Sequence, residues 1–462
     1  VARARRAAPG FKSAPEQLLD IMGHAESDVA RIFAAGFGGR TAATPALVRS
    51  IGGRLAAHVQ AEQLRRIGIA IDLPDQTLAA FLEGFALRAY AFTRYRTGPA
   101  AELADPIELV LVGGRGEAVV QGFRERRQPA VAGTHLARDL ATEPANVLTP
   151  QSFAEAAQAV AQASGMMVEV LSDPELAAAG LEAFLAVGKG SPAGCRLAIV
   201  SWNGLPPVAG PTPAPVVLVG KGVTFDAGGI TLKTGPGLEH NKWDMAGAAV
   251  VLGAMQSLAQ RRAKVHAVGL MALAENMPSG VAMKPGDVLR SLSGQTVEVV
   301  FPDGEGRLIL ADTLTYACRR FRPAAIIDLA TLTDEVSHVL GMETAGLISD
   351  DDRLAEALLH AASATGEPLW RLPLGPEYER YLASDIADMR NWGDGHLAAT
   401  CIAGAFLKRF IEGCPWAHLD IAWTSWSLRD SPLAGRGATG FGVRLLDRFV
   451  EDWFAAETEE LA

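Results

Sequence analysis

The chain has 462 residues, of which 49% are hydrophobic and 20% are charged, as in ordinary globular proteins. Its net charge of −10 argues against a dedicated nucleic-acid-binding protein, which would normally carry a basic surface. The longest apolar stretch, residues 245–255, is much shorter than the roughly 20 residues needed to cross a bilayer, so we expect no membrane span.

The N-terminal segment, residues 1–11, is rich in arginine and lacks the apolar region of a secretory signal, so we expect a cytoplasmic protein. The four cysteines form no CxxC pair. Because so few cysteines occur in so long a chain, we expect buried free thiols in a reducing compartment, with no disulfide framework.

The pattern of the chain changes near residue 140, and this predicts an N-terminal domain of residues 1–140 and a second domain of residues 141–462. Residues 15–95 have mainly helical patterns, including a helix predicted at 78–95. Short strands are predicted at residues 67–73 and 107–112. This first part contains no cluster of potential metal ligands.

The second part alternates strand and helix patterns. Strands are predicted at residues 216–219, 265–274, 297–301, 325–329 and 417–421, and helices at 246–260, 309–320, 352–365, 400–411 and 443–454. Such alternation is typical of an α/β domain with a mixed or parallel sheet flanked by helices. In such sheets, functional sites form where loops leave the carboxyl ends of the strands.

The first segment with potential chemistry is KGVTFDAGGITLK, residues 221–233, which follows a predicted strand. It contains Lys221, Asp226 and Lys233, and its glycines allow tight turns or a close approach to a ligand. It is not a phosphate-binding P-loop, because the GxxxxGK frame and the following Ser or Thr are missing. An ordinary solvated loop is the alternative interpretation.

The second segment places Asp244 directly before a helix rich in small residues. Aspartate is a favoured helix N-cap, so this residue has either a structural or a functional role.

The third segment, DGEGR, holds Asp303, Glu305 and Arg307 at alternate positions just after a predicted strand. In extended backbone these three side chains project to one face. Two adjacent carboxylates repel unless a cation lies between them, and hard divalent cations prefer oxygen ligands. A salt bridge from Arg307 to one of the carboxylates is the alternative.

Together the three segments supply four carboxylates from three loops, which is about the number that two-metal hydrolases use. No HExxH zinc-binding motif occurs. His240 is the one histidine in these segments, and we expect it to be an ordinary loop residue. The sequence therefore predicts that any metal site here is a carboxylate site.

These segments closely resemble the signature of the leucine aminopeptidases, the cytosolic di-zinc peptidase family. The resemblance extends to residues 138–150, 275–288, 328–333 and 415–422, and it covers about residues 80–462. It implies a smaller N-terminal α/β domain followed by a larger α/β catalytic domain, assembled as a homohexamer. It also implies cleavage of the N-terminal residue from short peptides.

The resemblance further assigns residue roles. The implied ligands of two divalent metal ions, most often zinc or manganese, are Lys221, Asp226, Asp244, Asp303 and Glu305. The implied catalytic residues are Lys233, which would stabilise the oxyanion, and Arg307, which would hold a bicarbonate that relays protons. As a metal ligand, Lys221 would need a strongly lowered pKa.

The chain departs from the family pattern at several neighbouring positions. Phe301, Pro302 and Gly304 are unusual around the third segment, so the support of the metal ligands is expected to differ. Asn241 and Asp334 replace residues that line the pocket for the substrate's first side chain. They predict a shift in preference from leucine toward basic or polar first residues, unless Asp334 caps the following helix instead.

Two alternative functions remain open from the sequence. Carboxylate pairs also serve two-metal phosphoesterases, for which Lys233 and Arg307 would bind phosphate, although a lysine metal ligand favours a peptidase. A non-catalytic interaction or DNA-binding role on the same fold is disfavoured by the complete ligand set and by the acidic net charge.

Overall fold

The computed structural model describes residues 12, 14–22, 31–38, 43–71, 73–112, 116–206, 213–395 and 397–460. The N-terminal segment 1–11 therefore lies outside the described residues. The chain divides into two compact units, which comprise Val1–Val131 with Leu428–Arg436 and Ala132–Ser427 with Gly437–Ala462. Among the described residues, no helix combines the length and the apolar character that crossing a membrane requires.

The helices are numbered here in chain order. They are α1 (Pro45–Ala61), α2 (Asp75–Arg88), α3 (Gly116–Arg126), α4 (Gln128–Thr142), α5 (Pro150–Ser164), α6 (Asp173–Ala178), α7 (Glu182–Gly188), α8 (Ala246–Gln260), α9 (Gly306–Phe321), α10 (Val336–Leu340), α11 (Asp352–Thr365), α12 (Pro376–Glu379), α13 (Ala399–Lys408) and α14 (Val443–Glu460).

The strands follow the same convention. They are β1 (Leu18–Met22), β2 (Arg31–Ala35), β3 (Arg66–Ile69), β4 (Glu108–Leu111), β5 (Met167–Leu171), β6 (Arg196–Asn203), β7 (Val216–Asp226), β8 (His266–Asn276), β9 (Val288–Arg290), β10 (Thr296–Glu298), β11 (Ala325–Ala330), β12 (Ala345–Ile348), β13 (Leu369–Arg371), β14 (Met389–Arg390), β15 (Trp416–Asp420), β16 (Trp426–Ser427) and β17 (Gly437–Ala438).

Among its described residues, the smaller unit contains two short strand pairs and the packed helices α1 and α2. Strands β1 and β2 are antiparallel, and β3 and β4 are parallel. The prediction that residues 15–95 are mainly helical is wrong for β1 and β2. The residues of β1, LLDIM, suit a helix locally, but the pairing with β2 overrides that preference. An ion pair between Arg31 and Asp20 joins the two strands.

The larger unit contains an eight-stranded sheet with the order β13-β12-β15-β11-β7-β8-β6-β5. Strands β15, β11, β7 and β8 run parallel to one another, whereas β12 and β6 pair antiparallel with their neighbours β15 and β8. The predicted α/β fold with a mixed sheet is therefore confirmed.

Helices cover both faces of this sheet, as the burial of alternate residues along its central strand shows. On β7, Val216 and Leu218 pack in the core cluster that includes α8 and α14. Their neighbours Val217 and Val219 pack on the opposite face with α7, α9 and α13. A strand buried on both faces has a continuous run of apolar residues, which is what the sequence has at this position.

Helix α8 matches its prediction at both ends, and so does α11. The small residues of α8 let the helix lie directly on the sheet. A Cβ atom at Gly247 would lie 2.1 Å from the carbonyl oxygen of Leu329 on β11, so the backbones touch there. The close approach fixes the start of α8, and with it Asp244, beside the end of the sheet.

The strand predicted at residues 297–301 is only partly present, because β10 ends at Glu298. The next residues leave the ladder, and the amide groups of Val300 and Phe301 donate to the side-chain oxygen of Asn391 at 2.9 and 3.2 Å. A distant side chain has replaced the partner strand here. The turn that follows carries Asp303 and Glu305.

Candidate active site

Six of the seven predicted site residues line one cavity of about 180 Å³ in the larger unit. These residues are Lys221, Asp226, Lys233, Asp244, Asp303 and Glu305. The cavity lies where β7 and β11 end, which is where a parallel sheet is expected to hold its site. The seventh residue, Arg307, is buried in the first turn of α9 behind this cavity.

Three carboxylates form the centre of the site. Asp226, Asp244 and Glu305 each place an oxygen within 4.8 Å of the others, which is close enough to hold a metal ion. Asp303 lies outside this trio and joins it through Lys233, whose Nζ atom is 3.0 Å from the Asp303 Oδ1 atom. The same lysine also pairs with Asp226.

Lys221 lies among the same carboxylates. Its Nζ atom is 2.7 Å from the Asp244 Oδ1 atom and 2.8 Å from the Glu305 Oε1 atom, and it donates to the Thr331 carbonyl at 2.7 Å. Burial opposes the charged form of Lys221, but the carboxylates of Asp244 and Glu305 outweigh burial and raise its pKa. Ligation of a metal requires the opposite shift, which the charge of divalent cations at these carboxylates would favour.

The carboxylates themselves differ in their pKa values. Burial and the charge of Asp226 raise the pKa of Asp303 to about 8, and burial with the charges of Glu305 and Asp226 raises the pKa of Asp244 well above its usual range. For Asp226, burial is outweighed by Lys233 and Lys221, and its pKa is lowered. The site thus concentrates more negative charge than its two lysines neutralise.

One buried carboxylate oxygen of the site also lacks a hydrogen-bond partner among the described residues. The Oδ2 atom of Asp244 has no hydrogen bond among the described residues, although Oδ1 accepts from Lys221 and from the Thr331 hydroxyl. An unpartnered carboxylate oxygen within a surplus of negative charge suits a divalent cation, which prefers oxygen ligands. The donor set therefore fits divalent metal ions.

Glycines next to the carboxylates make this crowding possible. A Cβ atom at Gly306, directly after Glu305, would lie 2.7 Å from the Cε atom of Lys221. Gly228 has a φ of +84°, which favours glycine, and its amide donates to the Asp226 Oδ1 atom at 2.9 Å. A larger residue at either position would displace a residue of the site.

Two asparagines position the site, and sequence reasoning did not assign either of them a role. The Asn276 amide donates to the Asp226 Oδ1 atom at 2.8 Å and to the Pro302 carbonyl at 3.2 Å. Asn391 is fully buried and donates to the Phe301 carbonyl at 2.8 Å. Asn276 lies in a segment that carries the family resemblance, whereas no local sequence signal marks Asn391.

The Arg307 side chain is held in place, but some of its guanidinium nitrogens make no hydrogen bond within the described residues. One guanidinium nitrogen donates to the Asn391 carbonyl at 2.8 Å, and the guanidinium lies 4.3 Å from the centre of the Trp392 ring. Its Nε and Nη2 atoms have no hydrogen-bond partner within the part of the chain that the structure describes. Burial lowers the Arg307 pKa to about 10. The alternative in which Arg307 pairs with Asp303 or Glu305 is not observed.

Aromatic and polar side chains form the walls of the cavity. Phe301 and Trp392 pack with their ring centres 4.7 Å apart, and Trp243 also lines the cavity. His240, which we expected to be an ordinary loop residue, lines the cavity and packs against Trp426 at 5.8 Å.

The two unusual residues, Asn241 and Asp334, both face this cavity. The Asn241 side-chain nitrogen is buried without a hydrogen-bond partner among the described residues. Asp334 is exposed, and its backbone carbonyl accepts from the Trp423 ring nitrogen at 3.0 Å. Its carboxylate does not cap α10, because the N-cap of that helix is Glu335, which itself makes no side-chain cap bond.

Comparisons with known proteins show the family of this chain. Residues 135–447 match the model of the cytosol aminopeptidase family, catalytic domain, and residues 7–99 match the N-terminal domain of the same family. A relative from Caulobacter vibrioides, named a probable cytosol aminopeptidase, is 42% identical over 98% of this chain and 91% of its own length. One from Brucella ovis with the same name is 44% identical over 87% of this chain and 81% of its own length.

A solved structure is also similar over nearly the full length. The bottromycin maturation enzyme BotP, in complex with Mn, has a TM-score of 0.87 and 34% identity over 98% of this chain and 96% of its own. Nothing in these comparisons favours a phosphoesterase or a nucleic-acid-binding protein. The chain belongs to the cytosol aminopeptidase family and is a metal-dependent aminopeptidase.

Proposed function

We propose that this enzyme removes the N-terminal residue of short peptides with the help of two divalent ions. The side chains that would hold these ions are Lys221, Asp226, Asp244, Asp303 and Glu305. The observation that carries the proposal is the convergence of three carboxylates within 4.8 Å in a cavity shared with both lysines. When bound, two such ions would supply an activated water nucleophile, a Lewis acid for the carbonyl oxygen, and an anchor for the substrate's free amine.

Zinc or manganese is the proposed metal. The carboxylate donors support a hard or borderline divalent ion, and the similar BotP structure is described as a complex with Mn. Zinc is supported by the resemblance to the di-zinc family alone.

Lys233 and Arg307 are the proposed catalytic residues. Lys233 lines the cavity with 29% of its side chain exposed, so its ammonium can reach an oxyanion that develops on the substrate. Arg307 is proposed to hold a bicarbonate that relays protons, as the resemblance implies. Its Nε and Nη2 atoms, which have no hydrogen-bond partner among the described residues, support an anion there, because a buried donor without an acceptor is costly.

Three further properties are proposed from the family resemblance and the sequence. The enzyme is proposed to act in the cytoplasm and to assemble as a homohexamer. The domain boundary is proposed near residue 140, which gives domains of residues 1–140 and 141–462.

The proposed reaction makes a simple assay decisive. The metal-loaded enzyme should hydrolyse aminoacyl p-nitroanilides and should leave p-nitrophenyl phosphate intact, because the resemblance assigns Lys233 to an oxyanion rather than to a phosphate. Release of p-nitroaniline or p-nitrophenol, measured by absorbance with equal enzyme concentrations, compares the two activities. A faster reaction with the phosphate ester would favour the two-metal phosphoesterase instead.

Asp334 is proposed to shift the preference for the first residue from leucine toward arginine and lysine. Asp334 is exposed, lines the cavity and is not the N-cap of α10, which supports a contact of its carboxylate with a cationic side chain. An exposed pair contributes up to about 1 kcal/mol, so Asp334→Gly should lower the Arg-to-Leu ratio of kcat/KM by about fivefold. A panel of aminoacyl p-nitroanilides measures this ratio.

The matched control for this experiment is Asp334→Asn, which removes the charge but keeps the size of the side chain. If the charge of Asp334 is responsible, both variants should lower the Arg-to-Leu ratio of kcat/KM by the same factor. If wild type and variants prefer leucine to the same degree, Asp334 does not contact the substrate's first side chain.

A further inference from the structure

Two of the four cysteines lie side by side in the larger unit, far from each other in the chain. The Sγ atoms of Cys318 and Cys414 are 3.2 Å apart. Cys318 lies in the last turns of α9, and Cys414 lies just before β15. Both thiols are free in this structure, as are Cys195 and Cys401, for which no neighbouring sulfur is found among the described residues.

Neighbouring contacts hold the two sulfur atoms in this position. The Thr315 hydroxyl, one turn before Cys318 on α9, donates to the Phe410 carbonyl at 3.1 Å. On the other side of Cys318, Arg319 donates to both oxygens of Glu412, with a shortest distance of 2.7 Å. The end of α9 and the segment before β15 are therefore tied together on both sides of the thiol pair.

The two thiols differ in their access to solvent. Cys318 is 7% exposed and belongs to the core cluster, whereas Cys414 is partly exposed. A reagent in solution can therefore reach Cys414 first, and Cys318 lies directly behind it. This arrangement of an accessible thiol and a resolving thiol is what disulfide exchange requires.

We propose that Cys318 and Cys414 form a reversible disulfide when the enzyme meets a low-molecular-weight disulfide such as oxidised glutathione. One thiolate of the pair attacks one sulfur of the reagent, which forms a mixed disulfide and releases one glutathione. The second cysteine of the pair, as its thiolate, then attacks the protein sulfur of the mixed disulfide, which breaks that bond and releases the second glutathione. The two protein thiols are oxidised, their protons pass to the two glutathione thiols, and the reagent is reduced.

The bond would connect two elements that lead to the active site. Helix α9 begins directly after Glu305, and β15 ends at Asp420, two residues before Ala422 in the cavity wall. The disulfide joins these elements at their opposite ends, and the long intervening chain becomes a closed loop. Closing a long loop stabilises the folded state mainly by restricting the unfolded chain. We therefore expect a more heat-resistant enzyme with unchanged activity.

The experiment treats the intact enzyme with oxidised or reduced glutathione, then denatures it and labels the remaining thiols with a maleimide. Mass spectrometry should find two labels after oxidation and four after reduction, with a peptide cross-linked between Cys318 and Cys414. Oxidation should raise Tm by on the order of 5 °C, and dithiothreitol should reverse this change. The kcat on an aminoacyl p-nitroanilide should stay within about twofold, because oxidation joins atoms already in contact.

Two variants separate this pair from the other cysteines. Cys401→Ser should behave as wild type in Tm shift and cross-linking, whereas Cys414→Ser should lose both and keep its basal activity. Four labelled thiols after oxidation, or a stable glutathione adduct without the cross-link, would each overturn the proposal. A cross-link without a Tm shift would support the disulfide and overturn the expected stabilisation.

Discussion

Removal of divalent metal with a chelator should lower aminopeptidase activity by at least about 10³-fold, and Zn²⁺, Mn²⁺ or Co²⁺ should restore it. The reason is the composition of the site, in which carboxylates and lysines converge but no side chain is placed as an activated nucleophile. The metal-free protein should stay folded, because the eight-stranded sheet has its cores on both faces independent of the site. Activity on an aminoacyl p-nitroanilide and metal content by atomic spectrometry measure the two effects.

The metal content itself gives a readout that does not depend on activity. The restored enzyme should contain two ions per chain, and Glu305→Gln should contain fewer, because Glu305 belongs to the three-carboxylate group. Glu356→Gln, an exposed substitution on α11, is the matched control and should keep both ions. Metal binding should also release protons, since ligands must be deprotonated. Full activity in a preparation without metal would contradict the proposed site.

The catalytic sheet and its carboxylates could be predicted because their signals are local. The apolar run at the start of β7 marks a buried strand, and the spacing of Asp303 and Glu305 marks two neighbouring carboxylates. The extended backbone expected for Asp303, Glu305 and Arg307 is wrong, because the chain turns at Asp303 and Arg307 lies in α9. The position of Asp303 was less predictable. It reaches the trio through Lys233, and this depends on how two separate loops fold against each other.

The residues that sequence reasoning missed come from distant parts of the chain. Asn391 replaces a strand partner for Val300 and Phe301 and also holds Arg307, yet nothing in its local sequence indicates this role. Trp392, the next residue, supplies the ring beneath the guanidinium. Only tertiary contacts show that these side chains support the site, because an Asn-Trp pair in a loop has many possible environments.

The helical prediction for residues 15–95 missed strands β1 and β2 for a related reason. Their residues have no strong alternation, and the pairing that forms them is a contact between two segments. By contrast, α8 and α11 were predicted at both ends, since helix contacts are local along the chain. The sequence thus predicts helices and the local carboxylate pattern better than it predicts weak strands and long-range support.

Lys233→Ala should lower kcat by on the order of 10²–10³-fold, the loss typical for one group that stabilises an oxyanion. The KM should change little, because the interaction strengthens only as negative charge develops on the substrate. Burial opposes the charged form of Lys233, but Asp226 and Asp303 outweigh burial and raise its pKa above the ordinary 10.5. With these carboxylates unligated, the ammonium therefore stays charged through neutral pH.

The contacts of Lys233 determine which controls the Lys233→Ala experiment needs. Lys233 pairs with Asp226 and Asp303, so its loss could disturb metal binding, and metal content must be measured beside kcat. Lys284→Ala removes a lysine with 63% of its side chain exposed, and this residue pairs only with Asp287 among the described residues. It should leave kcat unchanged. A Lys233→Ala enzyme with two ions and normal kcat would remove Lys233 from the mechanism, whereas reduced kcat with two ions assigns the loss to the missing ammonium.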